Sequence, residues 1–271
     1  MKRLIIILFL VTISGNSFSQ ITRASKFKLP AFVIDLSGGY SIPLHDLKGS
    51  NTGEFYSFFD YATSNGINSE IKVKYAVYTS QLTQFRLTAS VGYNHFWASG
   101  NSAYNINVFP APWPAYTYTP PGTSVPGESY ARLNIPSAAL GAEYAFWIDP
   151  QRRNNMSVGL EVLMSMISGR IFNTKYGEQE TFNTFNNNVR FGFAINYAYA
   201  MRVNENFGFN LAAKYSLRNL IGKTAKQSDE DGYMYLNDGE DTSVNPYLTS
   251  SRTIGDLSFS AGVSFFIGTK K

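Results

Sequence analysis

The side chains in this sequence that could do chemistry are two histidines, a set of charged residues at alternating positions, and two connecting stretches of unusual composition. His95 is followed by Trp97 and Ser99, which places an imidazole base and a hydroxyl four residues apart on a segment whose alternate residues share one face. Acyl transfer needs a nucleophile, a base and a group that orients the base, and no acid can be assigned to His95. A histidine among aromatic neighbours at a lipid–water boundary is the simpler reading, so no residue is assigned as catalytic. His45 stands in the first long connection.

The charged residues carry a stronger signal. Asp35, Glu70, Lys72, Lys74, Arg86, Glu143, Glu161, Arg190, Arg202, Lys214 and Arg218 all fall on the same parity of short alternating segments, opposite an apolar set. The clearest case is 189–202, where Val189, Phe191, Phe193, Ile195, Tyr197, Tyr199 and Met201 alternate with Arg190, Gly192, Ala194, Asn196, Ala198, Ala200 and Arg202. A period of two sends one set to each face of a strand. If the apolar set faces lipid, the charged set fills a lumen, and each carboxylate there needs a cation. Arg86, Lys74 and Lys214 are the expected partners of Glu143 and Glu161 by strand depth. The result would be a static ionic plug, because a small barrel has room for side chains and little else.

Eight such segments are expected, near 31–40, 69–78, 85–94, 138–146, 158–166, 189–202, 207–217 and 257–267. Connections of 41–66, 99–133, 170–188 and 222–252 are long, and those of 79–83, 149–154 and 204–206 are short. Long and short strictly alternate. The fold class expected is therefore all-β, an eight-stranded antiparallel transmembrane up-and-down barrel with short periplasmic turns, long extracellular loops and both termini periplasmic. A soluble barrel of lipocalin type would bury the apolar set instead. Tyr40, Tyr93, Tyr144, Trp147 and Tyr215 fall towards the strand ends, as interface girdles do.

Composition is compatible: 22 glycines, 18 tyrosines and 21 phenylalanines suit turns and girdles, while 15% charged residues would pass for a soluble domain. Lys2 and Arg3 precede the apolar run 4–13, and Ser17-Phe18-Ser19 precedes Gln20, so residues 1–19 are expected to be a secretory signal peptide. Residues 20–30 would be a periplasmic N-terminal segment and 31–271 one barrel domain. No cysteine is present, which excludes disulfides, thiolate metal sites and attachment through a lipidated terminal cysteine. The net charge of +4, two of it in the leader, gives no reason to expect a nucleic-acid partner.

Two connections stand out. The second holds Pro110, Pro112, Pro114, Pro120, Pro121 and Pro126 with Phe109, Trp113, Tyr116 and Tyr118 between them, a stiff aromatic stretch suited to recognition. The fourth holds Asp229, Glu230, Asp231, Asp238, Glu240 and Asp241 with Gly232 and Gly239. Oxygen ligands in a glycine-bearing loop suit calcium, but no EF-hand pattern follows, and a solvated acidic surface is the reading adopted. No metal or cofactor is assigned.

Several segments resemble the small outer-membrane β-barrels of the OmpA and OmpX type, in the form common as porin-family proteins of Bacteroidota. They are Gly38-Gly39-Tyr40-Ser41-Ile42-Pro43, Ile135-Pro136 leading into Leu140-Gly141-Ala142-Glu143-Tyr144, Lys214-Tyr215-Ser216-Leu217, and Asn219-Leu220-Ile221-Gly222. Ser260, Gly262, Phe265 and Ile267 resemble the C-terminal assembly signal of such barrels, with Gly268 to Lys271 extending past it. The resemblance implies the bacterial outer membrane, contact with its lipid and lipopolysaccharide, and insertion by the barrel-assembly machinery. The cell-wall-binding domain that longer members carry after the barrel is not expected here. The outward histidine and serine are also similar to those of outer-membrane lipid A deacylases, whose pair has His-x-Ser spacing. The function expected is non-enzymatic, a structural or interaction role through the extracellular loops or as a subunit of a larger outer-membrane assembly; a small porin-like channel and an outer-leaflet lipid-modifying enzyme are the alternatives.

Overall fold

The computed structural model describes residues 27–49, 60–98, 128–175, 178–225, 233–240 and 251–268. Residues 1–19, expected to be a signal peptide, and the aromatic residues Phe109, Trp113, Tyr116 and Tyr118 lie outside the described residues, as do Ser99, Asp229, Glu230, Asp231 and Asp241.

Among the described residues nine strands form one sheet: β1 Phe32–His45, β2 Asn65–Thr79, β3 Thr83–Trp97, β4 Glu128–Trp147, β5 Asn154–Lys175, β6 Glu178–Arg202, β7 Phe207–Ile221, β8 Tyr233–Met234 and β9 Ile254–Ile267. The order β5-β4-β3-β2-β1-β9-β7-β6 closes on itself because β5 also pairs with β6. Eight antiparallel strands thus form a complete barrel, and closure leaves no edge in the wall. β8 is a two-residue strand added parallel to β6 through Thr184 and Phe185. At the β1–β9 seam, a Cβ on Gly262 would lie 2.0 Å from the Leu36 carbonyl oxygen, and one on Gly39 would lie 1.9 Å from that of Phe259. Only glycine allows the strong local coiling there.

The alternation read from sequence decides the faces. Leu140 is 70% exposed and Val162 64%, while Glu143 and Glu161 are each 1% exposed. Apolar side chains cover the outer wall and charged ones are buried inside, the reverse of a soluble barrel and the arrangement a lipid-facing barrel requires. Among the described residues no helix is long and apolar enough to cross a membrane.

Three differences from the sequence reading have physical causes. Residues 170–188 are not a long loop: β5 and β6 continue as a paired ladder to Lys175↔Glu178. Trp147 is not in an interface girdle but is 3% exposed, because the parity of β4 sends odd positions inward. The lumen is also not polar throughout. Leu47, Tyr61, Ala62, Phe96, Ala131, Leu133, Ile135, Ile167, Ile171, Leu236 and Ile254 form a buried apolar cluster at the end where the long connections emerge. Residues from 46–49, 60–64 and 235–240 pack into that mouth through Leu47, Tyr61, Ala62 and Leu236.

Candidate functional site

The candidate site is the charged interior at mid-height. β2 supplies Glu70, Lys72 and Lys74 from alternate positions of one strand, and the surrounding strands supply their partners. Lys72 Nζ lies 2.8 Å from Glu161 of β5 and 3.8 Å from Glu70. Lys214 of β7 reaches both carboxylates, 2.8 Å from Glu70 and 2.8 Å from Glu161. Coulomb attraction holds the Glu161 carboxylate between the two ammonium groups.

One layer nearer the short turns, Lys74 lies 3.0 Å from Asp35 of β1 and 3.1 Å from Glu143 of β4. Arg86 of β3 donates through Nη1 to Glu143 at 3.0 Å and through Nη2 to Gln84 Oε1 at 2.7 Å. Ser264 of β9 donates to Asp35 at 2.6 Å. Arg86 and Glu143 are register partners on adjacent strands, which explains the direct pair. In contrast, Lys72–Glu161 crosses the lumen. Four cations and four carboxylates meet in these two layers, so the cluster is neutral. Neutrality matters because an unpaired buried charge costs several kcal/mol.

The remaining inward cations do not join this cluster. Arg190 makes a bidentate pair with Asp238, Nε and Nη2 each donating at 2.8 Å. Asn219 Nδ2 also donates to Asp238 at 2.9 Å, and the Thr224 amide at 3.1 Å. Asp238 is therefore a structural counter-ion that ties the fourth connection to the wall. Arg218 donates to Asp256 of β9. Arg202 lies at the short-turn end, where it donates to the Lys28 carbonyl at 2.7 Å and packs over Phe27, Trp147 and Phe266. Arg252, at the mouth, donates to the Leu236 carbonyl at 2.6 Å and lies 4.0 Å over the Tyr61 ring. Burial there holds the Tyr61 hydroxyl well above its usual range, keeping it a donor.

Asp256 was legible but absent from the sequence reading: it precedes the outward Leu257 and so must face inward. Glu70, inward by its parity in the sequence, lies within 2.8 Å of Lys214 in the cluster. Asp238 and Arg252 sit in connections, where no parity rule applies.

The side chains leave little space between them. A void bordered by Asn68, Lys72, Asn94 and Lys214 has a volume of ≈ 30 Å³, enough for about one or two waters. His95 Nδ1 lies 2.8 Å from Asn134 Oδ1 and its ring stacks 5.6 Å from Trp97. His45 ends β1 and its Nε2 lies 2.7 Å from the Tyr215 hydroxyl. Among the described residues no three His, Asp or Glu side chains converge as a metal-binding group. Ser260, Gly262, Phe265 and Ile267 all lie in β9, with Phe265 and Ile267 on the outer wall.

No protein-family model matches the chain, and no curated protein matches it. Solved structures to which it is similar include Neisserial surface protein A, at 11% identity and a TM-score of 0.40, with 88% of this chain and 97% of that one covered. The attachment invasion locus protein Ail of Yersinia pestis is similar at 11% identity and a TM-score of 0.37, with 88% and 99% covered. The outer membrane protease OmpT of Escherichia coli is similar at 8% identity and a TM-score of 0.42, with 92% and 100% covered. The architecture described above rests on the closed sheet itself.

Chemically, the interior can hold strands together: it offers fixed opposite charges at contact distance, with room for only about one or two waters beside Lys72 and Lys214.

Proposed function

We propose that this chain is a non-enzymatic barrel of the bacterial outer membrane, with its termini on the periplasmic side and its long connections outside. Its role is structural or interacting, exercised through those connections and through the surrounding lipid. The observation that carries this reading is the inversion of the two faces: an apolar outer wall around a mid-height cluster of four buried cations and four carboxylates. A cation on the outer wall at mid-membrane would cost about 2–4 kcal/mol, so a surface this free of charge is suited to lipid and ill suited to water. The ionic layers and the apolar cap lie in series along the lumen, which favours a closed interior over a conducting one.

The small-channel alternative is decided by planar-bilayer recording of the full mature chain. Sustained silence is expected; discrete single-channel steps would replace the plug reading with a porin reading. Location is tested separately by fractionating cells that express the protein and probing an epitope in 99–127 on intact cells. Recovery in the outer-membrane fraction with surface labelling is expected. Recovery as a soluble periplasmic protein would overturn the proposal.

A further inference from the structure

On the outer wall of β3 to β5, the face changes character over a few residues near the mouth. Tyr93 pairs with Pro136 across β3 and β4, the next outward pair is His95 with Asn134, and the next is Trp97 with Arg132. Arg132 is in turn the cross-strand partner of Arg170 on β5. Two guanidinium groups placed directly opposite on one face concentrate donors and positive charge at that rim, a geometry a phosphate can accept from. Arg132 is held 4.8 Å over the Phe172 ring. Arg170 is exposed and makes no ion pair among the described residues. With Asn134, Ser168 and Thr184 they border a recess of ≈ 320 Å³.

Directly below, on the same strands, the outer wall has a second concavity. Ala89 and Ala138 stand among Val73, Val91, Leu140 and Met164, and the small residues leave an apolar groove of ≈ 790 Å³. From Arg132 to Ala138 is roughly 20 Å along the strand at about 3.3 Å per residue. At a tilt of about 40° this is about 15 Å of depth, half of a hydrocarbon core about 30 Å thick. A cationic recess at the rim and an apolar groove one leaflet below it match a molecule with a phosphate at one end and a hydrocarbon chain at the other.

We propose that the β3–β5 wall binds a phosphate-bearing lipid of the surrounding leaflet, with its phosphate between Arg132 and Arg170 and an acyl chain in the groove over Ala89 and Ala138. This rests on the membrane reading under Proposed function. Asn134 borders the same recess and is fixed in place by its contacts with His95 and Tyr93.

The test uses the mature chain folded in an uncharged maltoside detergent, read by native mass spectrometry with dioleoylphosphatidic acid, dioleoylglycerol or inorganic phosphate as probes. One phosphatidic acid per barrel is expected to be retained at least about tenfold more tightly than dioleoylglycerol. The double variant R132Q/R170Q is expected to lose that preference, and Ala138→Trp, which fills the groove, to weaken phosphatidic acid binding with both arginines intact. Should Ala138→Trp fail to fold, R132Q/R170Q decides, its changes lying at the exposed rim. Equal retention of the two lipids, or an undiminished preference in R132Q/R170Q, would overturn the proposal. So would displacement of phosphatidic acid by an equal concentration of inorganic phosphate, which marks a soluble-anion site. Insertion of the unmodified chain into phospholipid vesicles is measured in parallel. Failure to insert sinks the membrane reading, whereas insertion without lipid selectivity sinks this inference alone.

Discussion

The middle of the barrel and its mouth are closed by opposite means. In the middle, Lys72, Lys74, Arg86 and Lys214 face Asp35, Glu70, Glu143 and Glu161, and the contacts run from strand to strand, some across the lumen. At the mouth, Leu47, Tyr61, Phe96, Leu133, Ile167 and Leu236 pack together, and residues from the connections meet residues of the wall. Buried ion pairs are directional and offset their own desolvation only when every partner is present. Apolar packing is non-directional and tolerates partial loss. Damage to the middle should therefore be felt by the whole barrel, and damage to the mouth by the connections that form it.

The largest effect is expected from Glu143→Ala, which strips Lys74 and Arg86 of a shared carboxylate. Equilibrium unfolding in denaturant should show a loss of about 3–5 kcal/mol. A loss under about 1 kcal/mol would show that the middle tolerates unpaired charge and would dissolve the contrast. Because these groups are buried, the loss should be nearly the same at low and high salt. Next comes Asp238→Ala, with about 2–3 kcal/mol withdrawn from the contacts around Arg190. Faster amide exchange is expected at 219–224 and 236–238, with β1 to β3 unchanged; global acceleration would mean that the mouth and the middle unfold as one unit.

Leu236→Ala probes the apolar side of the comparison. A loss of about 2 kcal/mol is expected, at the low end for a buried leucine because a connection can settle into the space. Proteolytic nicking within 235–240 should rise while the barrel stays intact. The smallest effect belongs to Tyr215→Phe, which removes only the hydroxyl that meets His45. About 1 kcal/mol or less is expected in the same unfolding assay, and a larger loss would make that outer-wall contact a third closure of comparable weight.

The contrast also explains what could be read from the sequence. Within the lipid-facing height, every second residue answers to hydrocarbon, so the parity of Asp35, Lys72, Glu143 and Arg190 was visible without coordinates. Above that height the rule lapses. The stretch around Asn173, Lys175, Glu178 and Glu180 is polar on both parities, so no alternation marks it as strand, and it reads as a loop although its backbone is paired. Phe96, Leu133, Ile135, Ile167 and Ile171 had inward parity in plain view, yet an apolar inward residue makes sense only once something covers the mouth. Leu47, Tyr61 and Leu236 do so from connections of no fixed period. Trp147 was misplaced by residue type where parity alone would have put it inside. The cross-lumen pairs, such as Lys72 with Glu161, depend on strand stagger around the closed wall, which no local pattern encodes.

The continued ladder of β5 and β6 bears on how the molecule meets its neighbours. These strands run to 22 and 25 residues, whereas β1 has 14. A barrel of equal staves would look alike from every compass bearing, but among the described residues this one stands taller on a single side, where β4, at 20 residues, rises with β5 and β6. Neighbours drifting in the plane of the membrane would meet that taller wall from one bearing, so it gives a round object a front and a back.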